Sequence, residues 1–206
     1  MQQHINNHKQ PYKIYIASAM LLGLSACTPP PSAIAPQNET KSFASRKLEL
    51  KDLKSWTIKG GMAVKEDRQG FSATLLWQQR GPNKYSIQLT GPLGSGKVKL
   101  TNRAGMATLA DGNKHFTSNS PEALLRNHTG YTIPVDSLFY WVRGLPSANA
   151  SSSKKIDAYG HLSQLNQQGW TILYKRFTAF KGLDVPSKIF LIKGQIKVKL
   201  IINQWQ

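Results

Sequence analysis

The sequence is short of cysteine, of acids and of long apolar runs. One cysteine, Cys27, stands in 206 residues, so an intramolecular disulfide and any multi-cysteine metal site are excluded. Asp plus Glu number 10 against 27 Lys plus Arg, and the few carboxylates are scattered, which gives no support to a paired-carboxylate acid–base site. Beyond the N-terminal segment no run of 18 apolar residues occurs, so no further membrane-spanning helix is expected. Proline and glycine, 11 and 16 residues, stay near the ordinary background and exclude a low-complexity chain. What remains, 40% apolar and 18% charged residues, suits one packed domain.

The charge is one-sided. Only Lys9 and Lys13 fall within residues 1–26, so the rest carries 25 cations against 10 acids, a net of +15. Such a balance draws a protein towards nucleic acid, an anionic membrane face or an acidic protein.

The N-terminus reads as an address. A polar stretch with Lys9 and Lys13 precedes an apolar run of 11 residues, Ile14 to Leu24, too short to span a bilayer as a helix. A basic region, a short apolar core and small residues form the pattern of a secretory signal. The ending Leu24-Ser25-Ala26-Cys27 looks like a bacterial lipobox, which implies diacylglyceryl attachment to the Cys27 sulfur and cleavage before it. By the sorting pattern of such lipoproteins, Thr28 in place of Asp implies the outer membrane. Two or three acyl chains anchor stably where one does not. The expected organisation is residues 1–26 as the signal, 27–45 as lipidated N-terminus and Pro/Ser/Ala-rich leash, and 46–206 as the folded body.

Within the body, apolar residues alternate with polar ones, as in strands with one covered face. The sets are Trp56, Ile58, Met62, Val64; Phe71, Ala73, Leu75, Trp77; Tyr85, Ile87, Leu89; Val98, Leu100; and Ile196, Val198, Leu200, Ile202. Turn residues at 81–83, 91–96, 111–113 and 168–169 separate them, which predicts an antiparallel sheet or barrel. Three short helices are expected: about Arg46 to Ser55, Pro121 to near Gly130 behind the N-cap Ser120, and a covered one from Val135 to Arg143. Pro146 to Lys155 reads as an exposed loop.

Several familiar chemistries find no footing. Gly91-Pro-Leu-Gly-Ser-Gly96-Lys97 approaches a phosphate-binding loop, but Val98 replaces the magnesium-holding hydroxyl and a strand pattern follows where a helix is needed. His115, His128 and His161 share no ligand spacing and read as surface or capping residues. No Gly-x-Ser-x-Gly elbow occurs. The cations alternate singly along strands and do not cluster on a recognition helix, against nucleic-acid binding. Leu93 is the one large side chain in its Pro/Gly turn and is expected to face solvent, which for a single leucine is ordinary.

One set of residues resembles a known family. Leu76-Trp77-Gln78-Gln79, Tyr85 and Leu89-Thr90-Gly91-Pro92-Leu93-Gly94 are followed in order by Ile133-Pro134, Ser137-Leu138, Trp141, Gly144-Leu145-Pro146, Pro186, Ile196-Lys197-Val198-Lys199 and Trp205. This order is similar to the LolB family of outer-membrane lipoprotein receptors across roughly residues 46–206. The resemblance implies a mainly β fold with an α lid: an incomplete, half-open antiparallel β-barrel enclosing an apolar cavity. It implies no catalysis and no cofactor, and a monomer is the default. It implies acceptance of triacylated lipoproteins from the periplasmic carrier LolA and their release into the outer membrane. A protruding-loop leucine assists delivery in the family; by motif it is Leu93, flanked by Gly91, Pro92 and Gly94. Parity nominates Met62, Val64, Leu75, Trp77, Ile87, Leu89, Leu138 and Trp141 as lining for acyl chains, with core packing as the alternative for each. The rival readings are a tethered lipid- or glycan-binding lipoprotein that hands nothing on, and a structural envelope lipoprotein with a filled core.

Overall fold

The computed structural model describes residues 40–148 and 150–206. The expected signal, Cys27 and most of the expected leash lie outside the described residues. Among the described residues three α-helices, α1 (Phe43–Asp52), α2 (Pro121–Thr129) and α3 (Val135–Trp141), accompany 11 strands. These are β1 (Ser55–Glu66), β2 (Gln69–Arg80), β3 (Lys84–Thr90), β4 (Lys97–Arg103), β5 (Met106–Asp111) and β6 (Lys114–Ser118). After the helices come β7 (Ser152–Ile156), β8 (Leu162–Gln167), β9 (Trp170–Phe180), β10 (Leu183–Lys193) and β11 (Ile196–Trp205).

The strands form one open antiparallel sheet in the order β6-β5-β4-β3-β2-β1-β11-β10-β9-β8-β7. Adjacent strands are joined by hairpins, and the first and last strands pair at the centre. The one long connection runs from edge β6 to edge β7, and it carries α2 and α3. A sheet that leaves its two edges apart therefore has its helices strung between those edges, and this topology makes them a lid. The half-open barrel expected from the family resemblance is the fold found.

Inward side chains fill one end of the sheet. Trp56 packs edge-on against Trp77 and Trp205, with centroids 4.9 and 5.3 Å away. Gly60 permits the close β1–β11 approach, since a Cβ there would collide with the Ile201 carbonyl. Leu50 and Leu53 bring α1 onto this end. Arg143, almost wholly buried, caps α1 by donating from Nη1 to the Leu50 and Leu53 carbonyls at 3.0 and 2.9 Å, and from Nε to Phe139 at 2.9 Å. Its guanidinium lies over the Phe139 ring at 3.8 Å. Burial lowers its pKa to about 10, so it remains cationic at neutral pH.

Three expectations need correction. The first helix starts at Phe43 and not near Arg46, because the Ser42 hydroxyl accepts the Ser45 N–H at 3.1 Å and so caps an earlier start. Residues 152–156 form β7 and not a loop. They are exposed as expected, but they pair with β8, and Lys154 and Lys155 protect this sheet edge. His161 is buried and not a surface histidine. Its Nε2 lies 2.9 Å from Asp184 and its Nδ1 3.2 Å from Asp157, with its ring stacked on Phe177 at 4.2 Å. Asp184 also pairs with buried Arg46 at 2.8 Å, which fastens α1 to β10.

Candidate functional site: an apolar cavity and an exposed leucine

The other end of the same strands is hollow. A cavity of about 680 Å³ opens between the sheet and the lid. Met62 and Val64 of β1, Leu75 and Trp77 of β2, and Ile87 and Leu89 of β3 line its sheet side. Leu138 and Trp141 of α3 line it from above, so all eight residues nominated by parity border one space. Among the described residues that line it there is no Lys, Arg, Asp or Glu. Such a space offers apolar ligands burial and offers a charged group no partner.

Polar side chains behind the wall hold its large residues in place. The Trp77 indole N–H donates to Gln79 Oε1 at 2.7 Å, and Gln79 Nε2 donates to the Gly81 carbonyl at 2.6 Å. The Trp-Gln-Gln element is thus a wall residue, its support and the turn beyond, with Trp77 and Gln79 on one face of the strand. The Trp141 indole donates to Gln167 Oε1 at 2.8 Å, and the Tyr174 hydroxyl donates to the Trp141 carbonyl at 2.9 Å. Burial pushes the Tyr174 hydroxyl pKa well above its usual value, so it stays a donor.

Sequence reasoning missed part of the cavity. Phe71 and Val198 share the parity of nominated neighbours and could have been found that way. Trp170, Ile189 and Leu191 stand on β9 and β10, whose alternation is broken. The lid contacts carry no sequence signal: the Tyr131 hydroxyl donates to Glu66 Oε2 at 2.8 Å, and His128 Nε2 lies 3.2 Å from Asp111. The Glu66 carboxylate raises the Tyr131 pKa by accepting that bond.

Leu93 sits at the tip of the 3-10 turn Pro92–Gly94 and is fully exposed. Its backbone is left-handed, φ 54° and ψ 24°, a conformation that costs a leucine about 1–2 kcal/mol. The turn is closed by Gly91 N–H to the Gly96 carbonyl at 3.1 Å and Ser95 Oγ to the Pro92 carbonyl at 2.7 Å. A Cβ on Gly91 would strike the Ser95 carbonyl oxygen, so this turn requires glycine there. Gly94, also at positive φ, has open space beside it. Downstream, Lys97 begins β4, a strand and not the helix a phosphate loop needs.

The strand ends around the hollow end carry Lys65, Arg68, Lys97, Lys193 and Lys197, all exposed. Lys65 and Lys197 are direct cross-strand partners, an arrangement that opposes folding and leaves charge of one sign at the surface. Among the described residues no group of three or more His, Cys, Asp or Glu could hold a metal ion. Among them, too, no helix is long and apolar enough to cross a membrane.

Comparison with known proteins agrees with this geometry. The family model "Outer membrane lipoprotein LolB" matches residues 54–205. The outer-membrane lipoprotein LolB of Pseudomonas aeruginosa is 36% identical over 197 residues, covering 94% of this chain and 96% of that one. Its counterpart in Chromohalobacter salexigens is 34% identical over 188 residues, covering 91% and 86%. The chain belongs to the LolB family. Among solved structures, a LolA-superfamily protein of Nitrosomonas europaea superposes with a TM-score of 0.53 at 8% identity, covering 81% of this chain and 93% of that one. At that identity the likeness concerns the fold alone. The family match, residues 54–205, takes in both the apolar cavity and the Leu93 turn.

Proposed function

We propose that this chain is an outer-membrane lipoprotein receptor. It accepts triacylated lipoproteins from the periplasmic carrier LolA and inserts them into the outer membrane, without catalysis or cofactor. Cys27 is its own lipidation site, residues 1–26 are removed, and residues 27–45 are the lipidated N-terminus and leash for the body 46–206. The observation that carries this reading is a cavity with no Lys, Arg, Asp or Glu among its described lining residues, on the same end of the sheet as a fully exposed, backbone-strained leucine. Burying one methylene gains about 0.8 kcal/mol, so a chain of some 15 methylenes gains on the order of 12 kcal/mol on leaving water. A bare lipoprotein therefore does not cross an aqueous space, and each protein along the way must offer comparable apolar shelter. A filled structural lipoprotein would not contain this cavity.

The exposed cations around the hollow end suit an acidic carrier surface and would steer the encounter. Steering of this kind weakens with salt. Transfer rates that do not change between low and high ionic strength would remove the charge from the account.

The test mixes the body, residues 28–206, with LolA loaded with a triacylated lipoprotein, and measures how much cargo co-purifies with each. Cargo moving to this protein supports the receptor role. Cargo staying on LolA beside a folded body points to a private lipid- or glycan-binding lipoprotein. Leu93→Glu separates the two halves of the role: acceptance unchanged, delivery to vesicles lost. Normal delivery by that variant ends the case for Leu93.

A further inference from the structure

Among the described residues, one ladder of the sheet stops short of the hollow end. Around the hollow end β1 and β2 pair to their common tip at Glu66 and Gln69, β1 and β11 pair to Glu66 and Ile196, and β3 and β4 pair to Thr90 and Lys97. β2 and β3 stop sooner. Their ladder ends at Thr74 and Thr90, while β2 runs on to Gln69. Residues 69–73 thus have β1 on one side and, on the other, only the 91–96 turn that carries Leu93. The turn's hydrogen bonds are internal, and among the described residues none joins it to residues 69–73.

A second hollow lies at this interruption. It is a groove of about 620 Å³ bordered by Leu93 on one side and Lys199 on the other. Its floor is made of small residues. A Cβ placed on Gly61 would meet nothing nearer than 4.0 Å, so the floor stands open. Met62, Ser72, Ala73, Gly91 and Pro92 border both the groove and the main cavity. The two spaces therefore adjoin across one unpaired stretch of strand.

We propose that this gap is a lateral exit, through which an acyl chain passes from the cavity to the bilayer between β2 and the Leu93 turn. The inference rests on the receptor reading and adds a route to it. Leu93 then sits at the outer lip of the exit, where the emerging chain first meets lipid. Lys199, without an ion-pair partner among the described residues, stands at the polar rim, where anionic headgroups would lie. The lid side does not serve as the exit. It is held by the Tyr131–Glu66 and His128–Asp111 contacts, whereas the gap is crossed by no such bond. Entry from the carrier and exit to the membrane are thereby separated in space, and a loaded receptor need not release its partner and turn over before delivering.

The test uses the full-length lipidated chain in vesicles of phosphatidylethanolamine and phosphatidylglycerol. The probe is a triacylated peptide bearing a benzophenone and a fluorophore. Photocrosslinking to the protein reads uptake, and energy transfer to a lipid-bound acceptor reads delivery. Ala63→Trp and Thr74→Trp, which border the groove and not the main cavity, fill the groove from the outer face of β1 and β2, and Gln78→Trp on the same face beyond the groove is the control. Uptake equal to the parent with delivery slowed about tenfold or more, in both groove variants and not in the control, supports the exit. Parental delivery by the groove variants removes the exit and leaves the receptor reading intact. Loss of uptake in variants that melt like the parent overturns the exit by making the gap an entrance. A parent chain that takes up no probe brings down the receptor reading and the exit with it.

Discussion

Ile58 and Met62 lie on the same face of β1, yet Ile58 has no exposed surface while Met62 borders empty space. The difference is what comes down on each end of the sheet. Over Ile58 lie α1, anchored by Arg143 and by the Arg46–Asp184 pair, and a cluster of tryptophans. The cavity that Met62 borders is covered by the end of α2, the segment around Ile133 and α3. One alternating pattern thus serves two purposes. Where a helix is driven onto the sheet it makes a core, and where the covering segment stands off it makes a container. Stability resides at the first end, which lets the second remain unfilled.

Matched substitutions test that division most directly. Ile58→Ala leaves a void among fixed neighbours and should cost about 3–4 kcal/mol. Met62→Ala enlarges a space already open and should cost under about 1 kcal/mol. Urea midpoints at constant slope report both. Equal losses at the two positions would mean that the hollow end carries stability like the filled one. Arg143→Ala belongs with Ile58: three carbonyls lose their donor, and about 3 kcal/mol should go with them.

The reverse experiment fills the container. Leu89→Trp should leave the urea midpoint within the error of the parent while acyl uptake falls about tenfold, the scale of a contact worth about 1.4 kcal/mol. A variant that unfolds instead would show that Leu89 packs a core and lines nothing usable.

How far the sequence showed this division depends on where its alternation survives. Along β1, β2 and β3 the inward set keeps one parity, so Met62, Val64, Leu75, Trp77, Ile87 and Leu89 could be read directly. On β9 it slips: Tyr174 faces Ile189 but Phe177 faces Pro186, with register shifts around Lys188. A bulge moves every later side chain to the other parity, so β9 and β10 were not read as strands, and their wall residues Trp170, Ile189 and Leu191 went unseen. Trp205 suffers the same slip beside Gly60. His161 escaped for another reason. Its partners Asp157 and Asp184 and the Phe177 ring beneath it are assembled only by folding. Nor could parity separate core from container, since that is decided by the helices above, which strand periodicity does not describe.

A milder change addresses the lid alone. Tyr131→Phe removes the bond to Glu66, which should let the lid open more often. Amide exchange at residues 130–133 should quicken, with no change in amides of β8 and β9. Acceleration spread through those strands would mean that lid and filled end open as one unit.

The smallest effect expected concerns pH at the lid hinge. Asp136 stands in the first turn of α3, and desolvation, then the charge of Glu122, raise its carboxyl pKa above the usual value of 3.8. A raised carboxyl pKa means that the folded state binds the proton more tightly than the unfolded one. Ionised Asp136 therefore subtracts stability above its raised pKa, and the loss disappears as pH falls below the unfolded value. Asp136→Asn should raise the melting temperature by about 1–2 °C at pH 7 and by nothing measurable at pH 3. The favourable placement of a carboxylate at a helix N-terminus works against this gain. A lower melting temperature at pH 7 would mean that the helix-end attraction outweighs burial and repulsion, and that the Asp136 charge holds the start of α3 in place.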